Sequence, residues 1–346
     1  MTRALALFSG GLDSILAARV VAAQGIEVVA VTFVTPFFQY RILEDVAAYR
    51  KDIRNRYGLE VLVEDISEGY LELLRRPRHG FGRHFNPCID CKIMMLQRAR
   101  EMLTEVGASF LVTGEVLGQR PMSQRLDTLN VISRDSGSRS ILLRPLSAKL
   151  LPATLPEELG LVDRERLHGI GGRGRSRQIA LAKEFGISDF PSPAGGCILA
   201  DPILSRRIER LYGGEFVLQA EDISVADVRL LLVGRQFILP GGGWLILGRV
   251  EEENERLLAL AAADDAVLTI DERPGPAAIL RHAGRCYADQ RAMAGDVALA
   301  AALVARYARK IAGRPAPGEI VVSISGGQQR LVAEPLADAV YSGWML

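Results

Sequence analysis

The sequence predicts an α/β chain: a doubly wound, mostly parallel sheet in residues 1–205, followed by a second, smaller α+β domain in residues 206–346. Three observations carry that prediction. An apolar run at 4–8 turns through two glycines into a helical stretch at 14–23, as a buried parallel strand feeding a helix does. Strand-like and helix-like runs then alternate at 27–34, 42–56 and 60–66, the βαβαβ order of an open α/β sheet. Beyond about residue 205 the texture changes to short strands, tight turns and amphipathic helices.

The remaining elements follow in order. A helix is expected over 92–103, a strand over 110–113, and a short strand over 140–143 that leaves through Arg144-Pro145-Leu146. Residues 164–177, rich in glycine and arginine, read as a loop between helices. In the second domain a helix is expected at 225–233. A hairpin pairs 236–239 with 244–247 around Pro240-Gly241-Gly242-Gly243, and a helix follows at 251–263. Short strands at 266–270 and 277–281 precede a helix over 289–310, and two last strands flank Ser325-Gly326-Gly327. That tripeptide echoes the first loop, but no helix and no aspartate follow it, so it reads as a hairpin turn.

A chain of 346 residues is long enough for two cores, and 49% hydrophobic with 24% charged residues is ordinary for a globular protein. A net charge of +1 excludes a generally basic coat, so nucleic-acid contacts would come from local patches. The strand at the start of the sequence leaves no room for a signal peptide, and no run is long enough to span a membrane, so a cytoplasmic location is expected. Four cysteines in such a chain read as chemical or incidental rather than as a disulfide framework.

The chemistry starts at Ser9-Gly10-Gly11-Leu12-Asp13-Ser14, between the first strand and the first helix. Gly10 and Gly11 let the backbone turn sharply, Asp13 or Ser14 stands near the helix N-cap, and free amides with the helix dipole favour an anion. The loop lacks the lysine of a Walker loop and the spacing of a dinucleotide fingerprint. Asp13 suits a magnesium ion that screens phosphates, and Ser9 and Ser14 offer hydroxyl donors. This loop resembles the PP-loop of the N-type ATP pyrophosphatases, which implies an adenine nucleotide alpha hydrolase-like domain. The resemblance further implies that Ser9, Gly10, Gly11, Asp13 and Ser14 grip ATP, and that ATP is cut between its α and β phosphates.

Cys88 and Cys91 form a Cys-x-x-Cys in Asn86-Pro87-Cys88-Ile89-Asp90-Cys91-Lys92, and Cys197 follows Gly195-Gly196 in a glycine turn that leaves its thiol accessible. A helix N-terminus and Lys92 would favour thiolates. The pair alone leaves zinc, a redox pair and a cluster open, with His79 or His84 able to complete a zinc site. Cys286 has no partner motif and reads as a packed thiol.

Val112-Thr113-Gly114-Glu115-Val116-Leu117-Gly118-Gln119, with Ser123-Gln124 after it, resembles a segment near the adenylate site of tRNA 4-thiouridine synthetases. That implies Thr113, Gly114 and Gln119 in the ATP site. The two cysteine sites are similar to those of tRNA 2-thiouridylases. A Cys-x-x-Cys with a distant third cysteine is also how some PP-loop tRNA thiolases hold a [4Fe–4S] cluster with one open iron, which implies Cys88, Cys91 and Cys197 as catalytic residues and cluster ligands. Residues 247–255 are similar to the RNA-binding domain of NFACT proteins. The chain departs from the 4-thiouridine synthetases in having its loop at the very start and its extra domain afterwards, and in its cysteine pair, so the modified base does not carry over.

The chemistry agrees with the resemblance. A uridine carbonyl oxygen is a poor leaving group, adenylation turns it into AMP, and a sulfur nucleophile can then displace it. The expected activity is therefore an ATP-dependent tRNA sulfurtransferase making 2- or 4-thiouridine, with Asp13 and the three cysteines carrying it. Its partners would be tRNA and a sulfur donor, either a protein or sulfide, with a homodimer as one open assembly. The alternatives are an amidotransferase-like PP-loop ligase, or a non-catalytic RNA-binding or sulfur-carrier protein. Arg75, Arg76, Arg78, His79, Arg83 and His84, interleaved with Phe81 and Phe85, and Arg164, Arg166, Arg173, Arg175 and Arg177 are the local basic groups suited to RNA.

Overall fold

The computed structural model of the chain describes residues 2–191, 197–216, 218, 220–287 and 289–346, in two compact units that divide between Ala200 and Asp201. The first unit is built on five parallel strands: β1 (Arg3–Leu7), β2 (Glu27–Val34), β3 (Glu60–Asp65), β4 (Phe110–Val112) and β5 (Leu142–Leu143). Their spatial order is β3-β2-β1-β4-β5. The first two connections run outward one way from β1, and β4 then pairs on its other side. The order therefore reverses between β1 and β4, and in an open α/β sheet the crevice at the carboxyl ends of such strands is where ligands bind.

The apolar runs bury both faces of this sheet. Ala4 and Ala6 pack with Ile15, Leu16 and Tyr57, which belong to α1 (Leu12–Ala22) and α2 (Val46–Tyr57). Leu5, between them, packs on the other side. There it meets Ile93 and Leu96 of a long helix, Cys88–Val106, and Ile132 of a shorter one, Leu126–Asp135. Successive side chains of a strand point to opposite faces, so helices cover both layers and the sheet is doubly wound as expected.

The helices Ser67–Arg75, Leu126–Asp135, Ser176–Glu184 and Pro202–Tyr212 are among those not anticipated. Ser67–Arg75, hereafter α3, buries Ser67, Tyr70, Leu71 and Leu74 at helical spacing but is only nine residues long; the Cys88–Val106 helix is then α4 and Leu126–Asp135 is α5. The helix Ser176–Glu184 takes up the end of the stretch expected to be a loop at 164–177. Helix α4 begins four residues earlier than its apolar period suggested, because Pro87 ends the preceding loop and its carbonyl accepts from the Cys91 amide at 2.8 Å.

The second unit holds an antiparallel six-stranded sheet: β6 (Arg235–Ile238), β7 (Trp244–Leu247), β8 (Ala266–Ile270), β9 (Ala278–Leu280), β10 (Gly318–Ile324) and β11 (Gly327–Ala333), ordered β11-β10-β8-β9-β7-β6. The helix Gln290–Tyr307 buries its alanine-rich face on this sheet. Both expected hairpins are present. At the second, Ser325 and Gly326 both have positive φ, the conformation that lets a two-residue turn match strand twist. Among the described residues no helix is long and apolar enough to cross a membrane.

Candidate active site

The loop after β1 turns at Gly10, whose φ of +73° is open to glycine at no steric cost. Helix α1 then begins at Leu12, two residues before the expected start, with Gly11 and not Asp13 or Ser14 as its N-cap. No side chain caps it; the Ser14 amide donates to the Gly11 carbonyl at 3.0 Å, which leaves the amides of Leu12 and Asp13 for an anion. Ser14 is buried and works for the loop itself. Its hydroxyl donates to the Gly11 carbonyl at 2.8 Å and accepts from the Ser9 amide at 3.3 Å. Ser9 is exposed, and its carbonyl accepts from the Gln39 amide group at 2.8 Å.

The stretch after β4 lies against this loop. A Cβ on Gly114 would stand 2.5 Å from the Asp13 carbonyl carbon and oxygen and 2.6 Å from the Ser14 nitrogen, so only glycine permits the approach. Five residues on, Gln119 Nε2 donates to Asp13 Oδ2 at 2.9 Å. The other oxygens of both groups, Asp13 Oδ1 and Gln119 Oε1, are buried and have no partner. A buried acceptor left unmade costs about 1–3 kcal/mol, so two on bonded neighbours mark a place for a cation or donor.

Thr113 and Glu115 are buried below. The Thr113 hydroxyl donates to Glu115 at 3.3 Å, and Arg144 Nε donates to the same carboxylate oxygen at 2.9 Å while its Nη2 reaches the Ser133 hydroxyl at 3.1 Å. Burial opposes ionisation of Glu115, but the Arg144 guanidinium and Lys92 outweigh it and hold the carboxyl below the usual carboxylate range. Ser147 fixes the end of the stretch by accepting from the Leu117 amide at 2.9 Å.

The three cysteines lie in electrostatic reach of one another, although their sulfurs do not cluster as around a single ion. Cys88 opens α4, Cys91 follows one turn later, and Cys197 stands just before a short 3₁₀ turn, Ile198–Ala200. The glycines expected to expose Cys197 lie outside the described residues. Cys88 Sγ donates to Asn86 Oδ1 at 3.1 Å. Each sulfur lies within electrostatic reach of another: Cys197 and Cys88 both act on Cys91, and Cys88 acts on Cys197. Arg120, next to Gln119, reaches Cys88 and Cys197, while Lys92 reaches Cys88, Cys91 and Glu115.

Burial pushes all three thiols up, Cys91 to about 12. The lowering expected from the helix start and Lys92 is thus overcome by withdrawal from water. As free thiols the three are protonated at neutral pH; bound to a metal they would be thiolates, releasing protons on binding. Three sulfurs make a soft donor set that fits iron–sulfur chemistry. His79 does not join them. Its Nε2 lies 3.0 Å from Asp135 Oδ2, and its backbone amide donates to Asp90 at 2.9 Å.

Sequence reasoning missed Tyr70, Arg120 and Arg144. Tyr70, on α3, is 1% exposed; its hydroxyl has no conventional partner and faces the Cys91 sulfur. Nothing in its amphipathic helix signals that. Arg144 carried a signal: a cation directly behind an apolar strand at the ligand-binding edge of a sheet. Of the glycine-rich arginines, Arg164 is spent on Glu157 and the Ala148 and Leu151 carbonyls, and Arg177 on the Gly169 carbonyl, while Arg173 is exposed.

In the second unit, Asp264, Asp265 and His282 are the only three side chains among the described residues whose ligand atoms cluster as around one ion. Arginines already occupy them, Arg281 on Asp265 at 2.8 Å and Arg285 on Asp264 at 2.8 Å. Cys286 is half-buried nearby, and burial raises its thiol. Asn254, from the segment similar to NFACT proteins, accepts from the Ala277 amide at 3.0 Å and so braces the turn before β9.

A glycine loop at the switch point of a parallel sheet, with unpaired acceptors beside it, makes the first unit an α/β domain with a candidate anion site at the carboxyl ends of its strands. Residues 1–149 match the family model of the thiamine biosynthesis protein (ThiI), and residues 234–345 match that of the NFACT protein RNA binding domain. The resemblance read from the motifs is thereby met in both units. A probable tRNA sulfurtransferase of Thermococcus kodakarensis is 29% identical over 136 residues, 39% of this chain and 34% of that protein. The aligned part thus spans about a third of that relative's length. Two solved structures are also similar. One is a 4-thiouridine synthetase–RNA complex with bound ATP, at 20% identity and a TM-score of 0.34 over 54% of this chain and 52% of that one. The other is the U34-tRNA thiolase NcsA from Methanococcus maripaludis with its [4Fe-4S] cluster, at 18% identity and a TM-score of 0.34 over 62% and 67%.

Proposed function

We propose that this chain is an ATP-dependent tRNA sulfurtransferase, with ATP bound at the Ser9–Ser14 loop and sulfur delivered at Cys88, Cys91 and Cys197. One observation carries the reading. The stretch 113–120 spans both halves of the site, with Gln119 hydrogen-bonded to Asp13 at 2.9 Å and its neighbour Arg120 in reach of Cys88 and Cys197. The match of residues 1–149 to the ThiI model and of 234–345 to an RNA-binding model supports a tRNA substrate.

The residues divide the work as follows. Amides at the start of α1, with Gly10 and Gly11 giving close approach, hold the pyrophosphate end of ATP. Asp13 and Gln119, with their unpaired oxygens, would hold a magnesium ion, which would screen the phosphate charge. The uridine carbonyl oxygen attacks the α-phosphorus, the bond to the bridging oxygen breaks, and pyrophosphate leaves. A hydrosulfide nucleophile then attacks the activated carbon, its proton passes to solvent, and the carbon–oxygen bond breaks to release AMP. Arg120 and Lys92 screen the negative charge gathered there. A [4Fe–4S] cluster held by the three cysteines would supply an open iron for that hydrosulfide. The donor that delivers the sulfur is a protein or free sulfide.

Nucleoside mass spectrometry of tRNA from cells with and without the gene tests this reading. One thiolated uridine should vanish on deletion and return with the parent gene. An unchanged set of thiolated nucleosides would reject it.

A further inference from the structure

Phe81 is an aromatic ring with one face packed and the other open. It is 40% exposed, on a loop that also exposes Arg78, Arg83 and His84. Its packed face is fixed: Phe85 stacks on it with ring centroids 4.1 Å apart and planes at 28°, and Phe85 is 8% exposed. The loop between them is closed by the Gly82 amide donating to the Asn86 carbonyl at 2.8 Å. His84 is held at a φ of +57°, a left-handed conformation that costs a non-glycine residue energy and recurs at ligand clamps.

This ring is tied to both halves of the site. Asn86, which closes the loop, accepts the Cys88 thiol at 3.1 Å. Met122, from the stretch that carries Gln119, sits so close to Gly82 that a Cβ there would stand 2.2 Å from its Cε. Met122 is itself 38% exposed and extends the apolar surface beside the ring.

Resting on the sulfurtransferase reading above, we propose that Phe81, backed by Phe85, is the stacking platform for the unpaired base presented to the cysteines. A base pulled from an RNA stack needs a flat apolar face to replace the neighbours it loses, and cations for the phosphates on either side. Phe81 supplies the face and Arg78 and Arg83 the charge, on a loop whose end holds Cys88.

The test uses the full chain and single-stranded oligouridine of about ten nucleotides as the probe, a length within the site sizes of such grooves. Phe81→Ala should weaken oligouridine binding roughly fivefold to a hundredfold, the range that loss of one stacking partner gives. Phe81→Trp should keep the affinity, and its new indole fluorescence should be quenched on binding. Phe81→Trp should melt with the parent and Phe81→Ala slightly below it, since the ring is part-exposed and its loss removes only the stacking on Phe85. Undiminished binding by Phe81→Ala, or a parent that binds no oligouridine, overturns the platform. The two readings fail separately. A parent that binds oligouridine through Phe81 but never thiolates tRNA sinks the activity and keeps the platform; thiolation with an unchanged KM in Phe81→Ala does the reverse.

Discussion

Asp13→Ala is expected to lower the formation of AMP and pyrophosphate by about two orders of magnitude or more, the scale on which a fixed electrostatic partner of the reacting charge acts. The fold should survive. The substitution removes one hydrogen bond to Gln119, worth about 1 kcal/mol, and relieves a buried oxygen that has no partner. Asp13→Asn separates charge from shape. Its amide oxygen can still accept from Gln119, so the stretch 113–120 stays in place, yet it offers a magnesium ion no negative charge. Rates of pyrophosphate release measured on both variants should therefore fall together, with melting temperatures near the parent's. Release at the parent rate would mean that the loop does not hold ATP.

Arg144→Met should be the most damaging change to stability, at about 3–5 kcal/mol, because it leaves a carboxylate buried without its counter-ion. Glu115 is 3% exposed, and one of its oxygens already has no partner. Arg144→Met with Glu115→Gln should recover a large part of the loss, since the uncompensated charge goes too. The pH dependence has a definite sign. The folded-state pKa of Glu115 is depressed, so the parent holds this contribution above the ordinary glutamate value and loses it as pH falls through the depressed one. Arg144→Met has no such contribution to lose, and its stability should respond less to acid. Urea denaturation of the three proteins across that pH range measures both effects. A single variant as stable as the parent would show that the pair does not brace the site.

Much of this architecture was legible because it rests on local physics. The runs that became β1 and β2 are apolar on both faces, which only a sheet covered on both sides accommodates, and the glycine loop followed directly. Helix α3 carried a helical period in Tyr70, Leu71 and Leu74 but over nine residues only, with Gly69 inside it, which is short for a helix to be read from sequence. The site was legible in part. Asp13, Gly114 and Gln119 could be picked out by motif, but the Gln119–Asp13 bond crosses 106 positions, and only the fold makes it. The thiols show the limit most clearly. The helix start and Lys92 argued for thiolates, whereas the burial that raises the thiols comes from the whole tertiary environment. Tyr70, facing Cys91 from another helix, had no sequence signature at all.

The central claim is that an ATP loop and a three-cysteine group form one site that puts sulfur into tRNA. The direct measurement is made on protein purified without oxygen, comparing the parent with Cys88→Ala, Cys91→Ala and Cys197→Ala. Each is given ATP, magnesium, sulfide and tRNA, and thiolated uridine, AMP and visible absorbance are recorded together. A cluster needs all three ligands. The account predicts a brown parent that forms one AMP per thiolated uridine, and three variants that each lose colour and thiolation alike. A colourless parent that thiolates tRNA with one of the three cysteines removed, or a parent that makes AMP without placing sulfur in RNA, would contradict it.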